Sequence, residues 1–188
     1  MKKNFGAKAV ITPLPVLIIA TYNEDGTADA MNAAWGGQCG GKHIALNLGM
    51  SHATTENIKR NNAFTVSFAD KKHIVESDYV GLVSAKTEKD KLAKAGLHTE
   101  KSEFVNAPVI TDYPVTIECK VVSMREEFGE FRVVGEVVNL SADENVLDEN
   151  GNIDIGKIDA LVYDSPAHAY RVVGEKVGNA FKDGNALK

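Results

Sequence analysis

Residues 115–126 and 130–140 are two runs of alternating apolar and polar character joined by a short stretch around Gly129. The period of two puts Val115, Ile117, Cys119 and Val121 on one face of the first run, and Phe131, Val133, Gly135 and Val137 on one face of the second. That is the pattern of paired strands with one buried side, and it predicts a long antiparallel hairpin with a short turn at Gly129. Further strands are predicted at 16–21 and 27–35, joined through the turn cluster Asn23-Glu-Asp-Gly26, and at 43–50, where Ile44, Leu46 and Leu48 point one way. Residues 63–69 and 169–173 complete the strand set.

Helices are predicted between the strands. Residues 51–61 carry an N-cap candidate at Ser51 or Thr54, and residues 72–84 place Ile74, Val75, Tyr79, Leu82 and Val83 at mixed three and four spacing. Thr87-x-x-Asp90 resembles a capping box, with Gly96 as the stop of the helix that follows, and residues 174–181 read as a terminal turn or helix. Consecutive strands with helices inserted, not alternating, predict a mainly β fold, an antiparallel barrel with added helices. At 188 residues the chain suits a single domain, 1–188, that needs neither metal nor disulfide to be stable.

Charge and cysteine usage narrow the function. The chain has 21 Lys plus Arg against 26 Asp plus Glu, a net charge of −5, which argues against nucleic acid as a partner. The longest apolar run, residues 16–20, is far short of the about 20 residues that cross a bilayer, and no secretory leader pattern is present, so a cytoplasmic protein with no membrane partner is expected. Cys39 and Cys119 form no CxxC, the five histidines form no HxxxH or HxH, and Asp148-Glu-Asn-Gly151 misses the calcium-loop spacing. No metal is expected, and the acidic segment 143–159 reads as a solvated loop.

Gly36-Gly-Gln-Cys-Gly-Gly41-Lys42 satisfies G-x-x-x-x-G-K, yet His43 follows where magnesium chemistry needs Ser or Thr, and a strand follows where a helix is needed. The glycines therefore read as a flexible connection between two strands. Ser51-His-Ala-Thr-Thr-Glu-Asn-Ile58 is more informative, because hydroxyls and free amides at a strand-to-helix junction suit either plain capping or an anion. Met31-Asn-Ala-Ala-Trp35 offers small residues that let backbone approach a flat ligand, with Trp35 either covering it or sitting in the core. Cys39 is either an ordinary free thiol or part of a pair with a histidine that meets only in the fold.

Read together, Asn32-Ala-Ala-Trp35, Leu46-Asn-Leu-Gly-Met-Ser-His-Ala-Thr-Thr-Glu-Asn-Ile58, Asp78-Tyr-Val-Gly-Leu-Val-Ser-Ala-Lys86, Ala107-Pro with Ile117-Glu-Cys-Lys120, and the ending His168 to Gly178 resemble the flavin reductase-like family with its FMN-binding split barrel. The resemblance implies a homodimer with one FMN per subunit near the dimer interface. It places Asn32, Ala33, Ala34 and Trp35 along the isoalloxazine ring and Ser51, His52, Thr54, Thr55 and Asn57 around the phosphate and ribityl chain, with Cys39 near the ring. His52 stands in a slot where the family often has Arg or Lys. The implied activity is an NAD(P)H-dependent flavin or ferric reductase that passes hydride to flavin N5; the alternative is a flavoredoxin-type electron carrier reduced by a redox protein partner without nicotinamide. A barrel that binds without redox chemistry is a third possibility. Backbone amides facing the N5 edge would suffice for the chemistry, so no catalytic residue is named.

Overall fold

The computed structural model describes residues 1–188. Its elements are β1 (Leu14–Pro15), β2 (Leu17–Tyr22), β3 (Ala28–Ala33), β4 (Gly36–Gly40), β5 (His43–Leu48), α1 (Ala53–Asn61), β6 (Ala63–Phe68), α2 (Ile74–Leu82), α3 (Lys91–Ala95), β7 (Thr99–Lys101), β8 (Pro108–Ile110), β9 (Val115–Glu127), β10 (Glu130–Ala142), α4 (Ile155–Ile158), β11 (Leu161–Asp164) and β12 (Ala169–Val172). Seven strands form one antiparallel sheet in the order β3-β2-β6-β9-β10-β5-β4, and β1-β11-β12 and β7-β8 form two smaller sheets. No helix is long and apolar enough to cross a membrane.

The side chains show how the large sheet curls. Leu17 and Ile19 of β2, Ala33 of β3, Leu46 and Leu48 of β5, Phe64 of β6, Cys119 of β9 and Val133 of β10 meet in one buried cluster, with Ile58 of α1 closing one end. Six strands can converge on one cluster only if the sheet rolls around its inner face, so the fold is a split antiparallel barrel. Its two edge strands, β3 and β4, follow each other in sequence through Ala34 and Trp35 and leave an open seam. Residues 16–20 are apolar without alternation because β2 is covered on both faces. Leu17 and Ile19 point into the barrel, while Val16, Ile18 and Ala20 pack against Val80 of α2, Leu92 of α3, Ile110 of β8 and Leu161 of β11.

The long hairpin forms as its alternation requires, from Ala142 opposite Val115 to Glu130 opposite Glu127, with irregularities at Val134/Gly135 and Val137/Asn139. Elsewhere the structure corrects the sequence expectations. The glycine-rich stretch is not a flexible connection: it forms β4, paired with β5 from Gly36 opposite Leu46 to Gly40 opposite His43. A Cβ on Gly36 would stand 2.6 Å from a Leu46 methyl, so glycine there serves close approach. Helix α1 starts at Ala53 with His52 as N-cap, not Ser51 or Thr54. In α2 the buried residues are Ser77 and Val80, whereas Val75 and Leu82 are exposed. The acidic segment is not wholly solvated, because α4 delivers Ile158 and a short turn delivers Val146 to a small cluster on Val115. The tail expected at 174–181 as turn or helix is exposed and largely irregular, and a 3-10 turn follows at Asp183–Leu187.

Gly135 of β10 leaves room for side chains of the neighbouring strands β9 and β6. A Cβ there would stand 2.6 Å from Phe64 Cζ and 2.9 Å from Cys119 Cβ, both side chains fully buried. Gly135→Ala is expected to lower unfolding free energy by about 1–3 kcal/mol through overpacking. Urea denaturation checks this, and an unchanged midpoint would contradict it.

Candidate functional site

The seam opens into a cleft of about 1020 Å³. Along one side runs β3 with Met31, Asn32, Ala33 and Ala34, continuing into Trp35; because β3 pairs only with β2, its outer backbone groups have no strand partner. Helix α2 lies against β3 so closely that a Cβ on Gly81 would sit 2.8 Å from Asn32 Cβ. This packing fixes the Asn32 side chain, whose Nδ2 donates to Ser77 O at 3.1 Å and to Tyr170 Oη at 3.2 Å. Tyr170 in turn donates to Asp78 Oδ1 at 2.7 Å. Burial, followed by that carboxylate, pushes the Tyr170 phenol up to about 12, so it stays protonated through the neutral range.

An aromatic wall stands beside this group. Trp35 meets Tyr163 edge-on at 6.5 Å between centroids, and Tyr163 meets Tyr170 at 6.1 Å. Trp35 is 61% exposed, so it presents its ring to the cleft and not to the core. Opposite, the tip of the β9–β10 hairpin contributes Arg125, Glu127, Phe128 and Arg132. Arg125 and Arg132 face each other across the ladder, an arrangement that would repel without Glu127. Glu127 stands 3.2 Å from Arg125 Nη2 and 3.6 Å from Arg132 Nε.

The third boundary is the junction of β5 and α1, with Asn47, Leu48, Gly49 and His52. His52 is the N-cap of α1 but makes no side-chain cap hydrogen bond, so the first-turn amides of Ala53, Thr54 and Thr55 have no capping acceptor. With the positive end of the helix dipole, they form a place for an anion beside the cleft. Gly49 makes room for the His52 ring, which would lie 2.9 Å from a Cβ at that position.

The residues singled out in the sequence divide into two groups. Asn32, Ala33, Ala34, Trp35 and His52 line the cleft together. Thr54, Thr55 and Asn57 lie on the inward face of α1 and are buried: Thr54 Oγ1 donates to Asp29 Oδ2 at 2.7 Å, Thr55 Oγ1 to Gly49 O at 2.9 Å, and Asn57 Nδ2 to Asn23 Oδ1 at 2.8 Å. Their hydroxyls and amide are engaged within the protein, and what they leave to a ligand is backbone. Ser51 is exposed and outside the cleft lining, and Cys39 is an exposed thiol on the edge strand β4, also outside it. Sequence reasoning missed Arg125, Arg132, Tyr163, Tyr170 and Asp78. Only the arginine pair was legible, by counting back evenly from a two-residue turn at Phe128-Gly129. No group of three or more His, Cys, Asp or Glu is placed to hold a metal.

The flavin reductase like domain family matches residues 10–168, most of the chain. The chain belongs to the flavin reductase-like family. Among solved structures it is similar to flavoredoxin of Desulfovibrio vulgaris (Miyazaki F), at 33% identity and a TM-score of 0.92, covering 98% of this chain and 100% of that one. It is also similar to flavoredoxin from Methanosarcina acetivorans, at 28% identity and a TM-score of 0.89, covering 100% and 98%. A protein of Aquifex aeolicus (strain VF5) described as uncharacterized is 23% identical over 155 residues, 79% of each chain. Membership of this flavin reductase-like family supports flavin binding and redox chemistry as the general role.

The residues around the cleft match the chemistry of a flavin. Its aromatic wall and the bare β3 edge suit a flat ring with a polar rim, and the uncapped helix start suits a phosphate. One titration follows from the wall. Because its folded pKa lies above the ordinary 10, Tyr170 contributes stability that is complete below about pH 10 and is lost as pH rises toward about 12. Tyr170→Phe is expected to show a shallower fall of unfolding free energy between pH 10 and 12 than the parent, and equal slopes would contradict the assignment.

Proposed function

We propose that the protein binds one FMN in this cleft and acts as an NAD(P)H-dependent reductase of free flavin or ferric complexes. The observation that carries this reading is the juxtaposition, within a flavin reductase-like chain, of the unpartnered β3 edge at Asn32–Trp35 with the uncapped start of α1 at His52. FMN is preferred to FAD because there is one anion-sized junction and no dinucleotide loop in the sequence. When bound, the flavin supplies hydride acceptance at N5 and release of electrons singly or in pairs. The chain's own part is binding and orientation. The backbone amides of the 32–35 stretch that point away from β2 would meet the ring edge and favour negative charge there, on a strand end that Asn32 holds in place through Ser77 and Tyr170. The first-turn amides of α1 and His52 hold the phosphate, with Arg125 and Arg132 as further positive groups on the rim. Trp35, Tyr163 and Tyr170 exclude water from one side.

A volume of about 1020 Å³ is at the upper end of pockets for one small ligand, which would leave space beside a bound flavin for a second flat molecule such as nicotinamide. A specific observation favours the alternative of a flavoredoxin-type carrier reduced by a protein partner: the 33% identity to a flavoredoxin over 98% of the chain. Anaerobic addition of NADH and of NADPH to the flavin-loaded protein separates the two. Bleaching of the flavin band within seconds supports the reductase; no bleaching by either, with reduction by dithionite intact, leaves the carrier. Recovery of mainly FAD after heat release, or a protein that no flavin saturates, overturns the cofactor assignment itself.

The reading extends to a homodimer in the cytoplasm. Around the cleft mouth Trp35, Leu82 and Phe128 are exposed, with Phe128 at 99%, and such an apolar rim suits a subunit interface near the flavin. The free, exposed thiol of Cys39 suits a reducing compartment. Sedimentation is expected to show a dimer of 188-residue chains that loses flavin on dissociation, and a flavin-saturated monomer would contradict it.

A further inference from the structure

Next to the start of α1 lies a buried ion pair. Lys91 of α3 and Asp29 of β3 are 2% and 0% exposed, with Nζ 2.8 Å from Oδ1. The other carboxylate oxygen of Asp29 accepts from Thr54 Oγ1 at 2.7 Å and from Asn57 Nδ2 at 3.4 Å, both on α1. Oδ1 has no hydrogen-bond donor in line with it, so its charge is answered by the ammonium alone. Lys91 Nζ also donates to Val83 O at 3.0 Å and to Val80 O at 3.4 Å, at the end of α2.

A negative charge therefore stands one hydrogen bond behind Thr54, the second residue of α1 and part of its first turn. It orients the helix by holding Thr54 and Asn57. Left bare, it would also oppose any anion at the same turn, since a buried charge is screened much less than one in water. The other charges near this turn are paired on the surface or held by a neighbour: Glu56 with Lys86 at 2.7 Å, Asp25 with Lys89 at 3.1 Å, Lys59 over the Phe131 ring at 3.9 Å, and Arg60 with Asn57 Oδ1 at 2.8 Å.

We infer that Lys91 is a positioning and specificity residue of the flavin site: by masking Asp29 it lets the α1 start both stay anchored and accept a phosphate, so the pair sets how strongly the cleft prefers phosphorylated over unphosphorylated flavin. The inference rests on the reading that the α1 start holds the phosphate. A pair that serves only to hold the fold together would affect every flavin alike. A masking pair acts on the phosphate alone, and its two members act with opposite sign.

The experiment is titration of the flavin-free protein with FMN and with riboflavin, which lacks the phosphate, in the parent, Lys91→Met, Asp29→Asn and the double variant. Lys91→Met is expected to lower the ratio of FMN to riboflavin affinity about tenfold, the scale of one unit charge acting over roughly 10 Å at an effective dielectric of about 20. Asp29→Asn, which leaves the ammonium unopposed, is expected to raise the ratio by a similar factor, and the double variant to return it close to the parent value. Equal weakening of both flavins in every variant overturns the inference. If Lys91→Met does not fold, Asp29→Asn still decides, because a ratio that is unchanged or lowered contradicts masking. A parent that binds FMN no better than riboflavin overturns the phosphate reading and this inference with it, whereas a parent that prefers FMN with ratios unmoved overturns the inference alone.

Discussion

Backbone groups on the outer edge of β3 have no strand to bond, and an unpaired edge is a place where something else must bind or where the protein must protect itself. The barrel stops short of closure there because the chain that leaves β3 does not turn back along it. It passes through Ala34 and Trp35 to become β4 at the far edge of the same sheet, paired with β5. The core fixes this geometry: Leu17, Leu46, Phe64 and Val133 draw six strands around one interior, and the residual opening falls where β3 and β4 diverge. The cleft is thus a consequence of how the barrel fails to close, and its walls are the elements that border the gap.

Each bordering element adds one property. Helix α2, seated on Asn32 through Gly81, holds that amide against Ser77 O and Tyr170 Oη. The β11–β12 pair brings Tyr163 and Tyr170 as an apolar wall with a phenol locked onto Asp78. The hairpin tip brings two arginines and Glu127, and α1 brings amides with no cap. Beneath them, the Asp29–Lys91 pair ties β3, α1, α2 and α3 together in the dry interior. Removing one partner of such a pair costs about 3–5 kcal/mol, because the other is left buried and charged.

Local periodicity made the barrel legible in the sequence. The period-two runs at 115–140 and 43–50 became β9, β10 and β5, and Asn32 to Trp35 could be placed at a strand end because small residues and a lone tryptophan followed an evident hairpin. What stayed hidden depended on other kinds of information. Glycines 36–40 looked like a linker because composition does not reveal that β5 offers them an edge, with Leu46 filling the space of a Cβ at Gly36. Thr54, Thr55 and Asn57 looked like ligands for an anion because the sequence did not reveal that α1 turns their side chains inward to Asp29, Gly49 and Asn23. Asp78 and Tyr170 are 92 positions apart and meet only in the fold, and no local pattern announces such a pair.

In the proposed site the open edge of β3 and the uncapped start of α1 hold one flavin between them. Amide chemical shifts of the isotopically labelled, flavin-free protein during titration with FMN test it most directly. The largest changes are expected at Asn32, Ala33, Ala34 and Trp35 together with His52, Thr54 and Thr55. Changes confined to the second cavity, of about 420 Å³ and lined by Asn23, Arg60, Lys86 and Lys89, with the β3 edge unmoved, would contradict a shared site.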